Sequence, residues 1–111
     1  MLRSDRADRG LLADIRESTD WIARYIDGLS SDAFEADSLR RDATAFRLLI
    51  IGEAAGKLSP AVTGKLPDID WRGMLGLRHR LAHDYGSTDF SVIWAIASIE
   101  VPRLAQALEN L

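Results

Sequence analysis

Hydrophobic positions along the first half of the chain repeat every three to four residues, which predicts helices. The first run ends at Gly28 and the polar residues that follow it, so we predict a long first helix. Its apolar positions are Leu11, Leu12, Ile15, Trp21, Ile22, Ile26 and Leu29. Asp37 or Ser38 can cap a second helix that ends before Ser59 and Pro60. Its predicted apolar stripe contains Ala43, Phe46, Leu49, Ile50, Ala54 and Leu58.

The middle of the chain predicts a connection followed by a third helix. Two prolines, a glycine and two aspartates fall between Pro60 and Asp70, which indicates a loop with room for one short helical turn. The third helix begins near Asp70 and Trp71 and stops around Tyr85 and Gly86. Its core-facing positions are Met74, Leu77 and Leu81.

A fourth helix is predicted from Phe90 to about Glu109. Pro102 should kink it or split it, because proline lacks the backbone N–H that a helix interior uses. Three residues can cap its start: Ser87, Thr88 and Asp89. We therefore predict one all-α domain over residues 1–111, an up-and-down bundle of four or five helices.

The fourth helix is apolar around much of its circumference. Such a helix has more surface to bury than one neighbour supplies, which favours a homodimer formed helix to helix. It could equally be the central helix of the bundle, and the pattern does not choose between these interpretations.

Composition and charge narrow the classes of function. The chain has 111 residues, of which 47% are hydrophobic and 28% charged, as expected for a globular domain. A net charge of −3 argues against a protein that coats nucleic acid without specificity. The absence of cysteine excludes thiolate chemistry, and the segment Met1 to Gly10 resembles neither a signal peptide nor a membrane span. We expect a cytoplasmic protein.

Ionisable side chains cluster between Arg78 and Tyr85, inside an otherwise apolar helical stretch. Arginine presents paired donors that suit a phosphate, and histidine can transfer protons near neutral pH, so Arg78 and His83 are candidate site residues. Tyr85 could contact a phosphate or stack on a base. The alternatives are structural: Arg78 paired with Glu53, His83 as a capping or core residue, and Tyr85 packed at the helix end.

The spacing of these residues poses a geometric problem. Five positions separate Arg78 from His83, which is about 140° around an ideal helix, so they cannot lie side by side on one straight helix. They could converge if the helix loosens before Gly86, or if two subunits share the site. His79 lies one turn before His83, but no motif supplies a third ligand, so we expect no metal.

The spacing Arg78, four residues, His83, one residue, Tyr85 resembles the R-x-x-x-x-H-x-Y signature of the HEPN superfamily, in its HepT-like toxin branch. Two other segments resemble this branch: Phe46-Arg47-Leu48-Leu49-Ile50-Ile51-Gly52-Glu53-Ala54-Ala55, and Pro67-Asp68-Ile69-Asp70-Trp71 followed by Gly76-Leu77-Arg78. The similarity extends from about Leu11 to Leu108.

This resemblance implies a function and partners. Members are dimeric all-α proteins, and many are metal-independent endoribonucleases that act as toxins in type VII toxin–antitoxin systems, paired with a minimal nucleotidyltransferase. By resemblance, Arg78 and His83 form the catalytic pair at the dimer interface, and His79 and Glu53 support it. Tyr85 matches the tyrosine that the nucleotidyltransferase modifies with AMP. The resemblance implies no cofactor.

A second interpretation is a catalytically inactive module that binds RNA or a nucleotide and pairs with a minimal nucleotidyltransferase. In that case Arg78 would serve only to hold a phosphate. The sequence indicates no preferred RNA target, because recognition of single strands depends on stacking and base-edge contacts.

Overall fold

Helices account for the regular structure of residues 3–111, the part of the chain that the computed structural model describes. The predictions for Met1 and Leu2 lie outside it. Four long helical segments dominate, and α1 spans Arg3–Ile26, α3 Ser38–Ala55 and α5 Trp71–His83. The last segment joins α6 (Phe90–Ala95), a π-helical turn (Ile96–Glu100) and α7 (Val101–Glu109). The prediction of an all-α fold is confirmed.

Three shorter helical turns connect these segments. The first, α2 (Ser31–Ala36), was not predicted, because six residues with one large apolar side chain show no helical period. Ser30 caps it by accepting a hydrogen bond from the N–H of Ala33 at 3.1 Å, and Phe34 is fully buried. The second, α4 (Pro60–Thr63), is the short turn expected in the connection. A 3₁₀ turn (Tyr85–Ser87) follows α5.

The core lies where α1, α3, α5 and the last helical segment meet. Its most deeply buried side chains are Ile15, Ile22, Phe34, Ile51, Ile93, Leu104 and Leu108. Leu77 and Leu81 of α5 are buried as predicted, and Met74 packs against them. Truncating one such large side chain to alanine typically costs about 2–5 kcal/mol of stability.

The predicted core stripe of α3 was wrong at its centre. Phe46 is 55% exposed, and the buried positions are instead Thr44, Ala45, Leu48, Ile51, Gly52, Ala54 and Ala55. The run from Phe46 to Ile51 contains a single charged residue, so its apolar positions surround the helix and several stripes fit the pattern equally well. The helix start was predicted correctly: the Asp37 side chain accepts a hydrogen bond from the N–H of Arg40 at 3.1 Å.

Pro102 does not split the last helical segment. A π-helical turn lies directly before it, in which the N–H of Val101 donates to the carbonyl of Ile96, five residues back. This wider turn accommodates the change in the hydrogen-bond ladder that proline imposes. One side of the segment packs on α1 with Val101, Leu104 and Leu108 buried, as expected of a bundle helix.

The first helix begins earlier than its apolar pattern indicated. Asp8, in the charged stretch before Leu11, is 6% exposed and accepts hydrogen bonds from the Ser59 N–H at 2.9 Å and the Ser59 hydroxyl at 2.6 Å. These bonds hold the pKa of Asp8 below its ordinary value. The carboxylate thus fixes the start of α4 to α1, a role that hydrophobic periodicity cannot reveal.

Candidate active site

Arg78 lies on the side of α5 that faces α3, where Glu53 receives it. The Arg78 Nη2 to Glu53 Oε2 distance is 2.7 Å, and Lys57 lies 3.5 Å from the other oxygen of this carboxylate. Both sequence interpretations, a structural ion pair and an anchored site arginine, predicted this contact, so the contact alone does not choose between them.

Gly52 explains how α5 comes close enough to α3 for this pairing. A Cβ atom added at Gly52 would lie 2.8 Å from the Met74 carbonyl oxygen and would overlap the Cβ of Arg78. Only glycine fits there without moving one of the helices. The Gly52-Glu53 pair in α3 therefore both admits Arg78 and binds its guanidinium.

The ion pair leaves part of the Arg78 guanidinium available. Its side chain is 35% exposed, and among residues 6–111, whose side chains the structure describes, its Nη1 atom has no ion pair or hydrogen bond. The Nε atom is buried without a hydrogen-bond partner. A guanidinium held at one nitrogen with a second open to solvent can bind a phosphate oxygen without moving.

The two histidines of the motif segment are held by fewer contacts than Arg78. His83 is the last residue of α5 and is exposed, as is His79, and the centroids of the two rings lie 4.6 Å apart. No hydrogen bond or ring contact within residues 3–111 joins Arg78 to His83. The same residues contain no group of three or more histidine and acidic side chains that could hold a metal ion.

Tyr85 lies beyond the end of α5 rather than on it. The helix stops at His83, because Asp84 has a φ of −148°, outside the helical range. Tyr85 is the first residue of the 3₁₀ turn that follows. The hydroxyl of Tyr85 donates a hydrogen bond to Asp42 Oδ1 on α3. Burial, then the hydrogen bond and charge of Asp42, raise the pKa of Tyr85 to about 12, while Arg41 opposes the shift.

Asp42 is a site residue that the sequence analysis missed. Asp42, Phe46 and Glu53 are spaced by four and seven residues, so they share one outward face of α3. Eleven residues separate Asp42 from Glu53, about 16 Å along the helix. Because Arg78 meets Glu53 and Tyr85 meets Asp42, α5 and its following turn run antiparallel to α3 along this face.

A separate cavity lies on the other side of α5. Its volume is about 590 Å³, and it is bounded by α5, α7 and the connection before α5. Arg80 lies at this cavity, whereas Arg78, His83 and Tyr85 do not. The floor is mostly apolar, including Leu48 and Leu104. We place the candidate site on the α3 face, because Arg78 and Tyr85 of the motif segment contact α3 there.

Comparison with known proteins assigns the chain to a family. The family model described as "Ribonuclease HepT-like" matches residues 15–111, and the chain belongs to this family. It is 30% identical over 106 residues to "Putative RNase MJ1380" of Methanocaldococcus jannaschii, covering 96% of this chain and 97% of that protein. It is 29% identical over 106 residues to "Probable ribonuclease HepT" of Thermococcus cleftensis, covering 96% of each. No solved structure matches the chain.

Within residues 3–111, no helix is both long and apolar enough to cross a bilayer.

Proposed function

We propose that this chain is the toxin of a toxin–antitoxin pair, a metal-independent endoribonuclease whose site contains Arg78 and His83. The observation that carries the proposal is the state of Arg78, which is fixed by Glu53 at one nitrogen while another faces solvent. An arginine with a purely structural role would be stabilised most if both terminal nitrogens of its guanidinium bound protein acceptors. Membership of a family described as ribonucleases supports the same class of activity.

The chemistry needs one proton acceptor and one fixed positive charge. His83 would assist attack by a ribose 2′-hydroxyl on the adjacent phosphorus, and its exposed position at the end of α5 leaves it accessible to RNA. Arg78 would stabilise the negative charge that develops on the phosphate oxygens. The 5′-oxygen leaves, and the product carries a 2′,3′-cyclic phosphate. Both roles are filled by side chains, with His79 as a nearby contact for the substrate.

The active form is proposed to be a homodimer built on the outward face of α3. Leu39 is 80% exposed, Phe46 55% and Leu75 44%, so this part of α3 and α5 offers apolar surface that a second copy can bury. Phe46 lies between Asp42 and Glu53, so a second copy covering it would bring two sets of site residues together. A two-fold axis there would allow His83 of one subunit to approach Arg78 of the other.

The antitoxin is proposed to be a minimal nucleotidyltransferase that attaches AMP to Tyr85. The side chain is 40% exposed and lies on the same face of α3 as Arg78, so a modifying enzyme can reach it. An added AMP would place bulk and negative charge beside the site. RNA would then be excluded by both contact and repulsion.

The test is cleavage of single-stranded RNA in EDTA by the wild type and by His83→Ala and Arg78→Ala. Removing the base or the fixed charge should lower the rate by about 10²–10⁴-fold. Arg80→Ala is the matched control. It also removes one positive charge from α5, but Arg80 lies at the separate cavity between α5 and α7 and not at the candidate site. Wild-type cleavage by His83→Ala would reject the mechanism, and retention of uncut RNA by the wild type would favour the binding module.

A further inference from the structure

The contact between Tyr85 and Asp42 joins the turn after α5 to the second turn of α3. The proposed cleavage of RNA uses Arg78 and His83 and gives Asp42 no role. Asp42 nevertheless accepts the hydroxyl hydrogen of the one tyrosine that the proposed antitoxin would modify. A carboxylate touching the atom that must react is positioned to affect that reaction.

The surroundings hold the tyrosine ring while leaving the residue partly exposed. Phe90 packs edge-on against the ring with centroids 6.0 Å apart, and the Thr88 hydroxyl donates to the Tyr85 carbonyl. The guanidinium of Arg41 lies over the Phe90 ring, 4.5 Å from the ring centroid. Tyr85 is nonetheless 40% exposed and the Asp42 side chain 56% exposed. The contact therefore lies at the protein surface, where an ATP phosphate can approach it.

The same contact makes the free phenolate scarce. Burial and the neighbouring carboxylate raise the pKa of Tyr85 to about 12, so the hydroxyl keeps its proton at neutral pH. A protonated hydroxyl is a weak nucleophile and needs a base that takes the proton as the new bond forms. Asp42 Oδ1 is the atom that already accepts this hydrogen.

We infer that Asp42 orients the Tyr85 hydroxyl for nucleotidyl transfer and accepts its proton; this rests on the proposed modification of Tyr85. The Tyr85 oxygen forms a bond to the α-phosphorus of ATP, and the bond from that phosphorus to the oxygen bridging the β-phosphate breaks. Pyrophosphate leaves, and the hydroxyl proton passes to the Asp42 carboxylate. An aspartate performs the same task for the substrate hydroxyl in protein kinases. The toxin would thus supply part of the machinery for its own modification.

Asp42→Asn separates two explanations, because they predict opposite changes in the rate of AMP incorporation. In one, Asp42 accepts the proton of Tyr85; in the other, it only changes the acidity of Tyr85. Asparagine keeps the shape and can accept the hydrogen bond, but it is no base. We expect AMP incorporation from ATP by the proposed nucleotidyltransferase antitoxin, followed by intact mass, to slow by about 10²–10⁴-fold. If only the acidity of Tyr85 mattered, losing the carboxylate would speed labelling. An equal or faster rate would overturn the role of Asp42.

Asp84→Asn is the matched control, because Asp84 precedes Tyr85 and its carboxylate accepts from the Ser87 hydroxyl at 3.1 Å instead. It should label at the wild-type rate, and Tyr85→Phe should not label. A wild type that gains no AMP would reject the proposed modification altogether. Normal labelling of wild type and Asp42→Asn alike would reject only the inference about Asp42.

A second measurement needs no partner enzyme. The chain has two tyrosines, so Tyr25→Phe leaves Tyr85 as the single phenol that ultraviolet absorbance can titrate. Its pKa should be about 12 and should fall towards 10 when Asp42→Asn is added. An unchanged titration curve would show that the two side chains do not interact in solution and would overturn the inference.

Discussion

Arg78 and His83, the two ends of the motif segment, differ in how firmly the chain itself holds them. Arg78 is fixed in the contact between α3 and α5, where Gly52 admits it and Glu53 binds it at 2.7 Å. His83 is exposed at the last turn of α5, and among the side chains of residues 6–111 its aromatic ring pairs with His79 and takes part in no ion pair or hydrogen bond.

The difference indicates which group of the proposed site a single chain holds in position without a partner or substrate. A fixed positive charge must be in place before the reaction, because stabilising a developing charge is effective only if little reorganisation is needed. A proton acceptor can be brought to its position by substrate or by a second copy. The folded chain thus supplies a fixed half and an exposed half of the proposed site, and variants of each half should behave differently.

Glu53→Ala should lower the rate of RNA cleavage, because it removes the anchor of the fixed half. Without its anchor the Arg78 guanidinium samples several positions, and we expect kcat for RNA cleavage to fall by up to about 100-fold. Binding of RNA, measured on an uncleaving His83→Ala background, should stay equal or tighten, since a negative charge has been removed from the RNA-facing surface.

The control for that variant is Lys57→Ala, which removes the other ion pair of Glu53 at 3.5 Å and leaves Arg78 in contact. Its kcat should match the wild type. Equal loss of kcat in both variants, or a loss in RNA binding alone for Glu53→Ala, would contradict the role of Glu53 in positioning Arg78.

Gly52→Ala should lower the free energy of unfolding, an effect smaller than the loss of activity expected for Glu53→Ala. The new methyl group meets the Met74 carbonyl and Arg78, so the helices must separate and stability should fall by about 1–3 kcal/mol. Gly10→Ala is the matched control, because Gly10 lies in α1 with no atom within 4 Å of its added Cβ and should gain about 0.4–1 kcal/mol. Denaturant unfolding measures both, and equal shifts would contradict close packing at Gly52.

The sequence predicted the long helices because each carries enough apolar residues to reveal its period and has recognisable ends. Asp37, Asp70 and Asp89 each cap a helix at or next to the predicted position. It failed on α2, which is too short to show a period, and on the buried face of α3, where consecutive apolar residues fit several faces. It also did not reveal that a π-helical turn accommodates Pro102.

The site was partly predictable for a related reason. The Arg78 to Glu53 contact was expected, since both residues lie near apolar stripes of helices that had to pack together. Asp42 was missed because its partner lies 43 residues away in a turn beyond α5. An antiparallel register fixed by Glu53 and Arg78 would have carried Tyr85 towards the first turns of α3, and this is the signal that could have identified Asp42.

Subunit mixing tests most directly whether the fixed half (Arg78) and the exposed half (His83) of one site come from two copies. Arg78→Ala and His83→Ala proteins, each inactive alone, would be co-expressed at equal levels and assayed for RNA cleavage in EDTA. Random pairing would give each mixed dimer one intact site, so activity should return to about a quarter of the wild type. No recovery, with the mixed dimer verified by mass, would contradict a shared site and place both residues in one subunit.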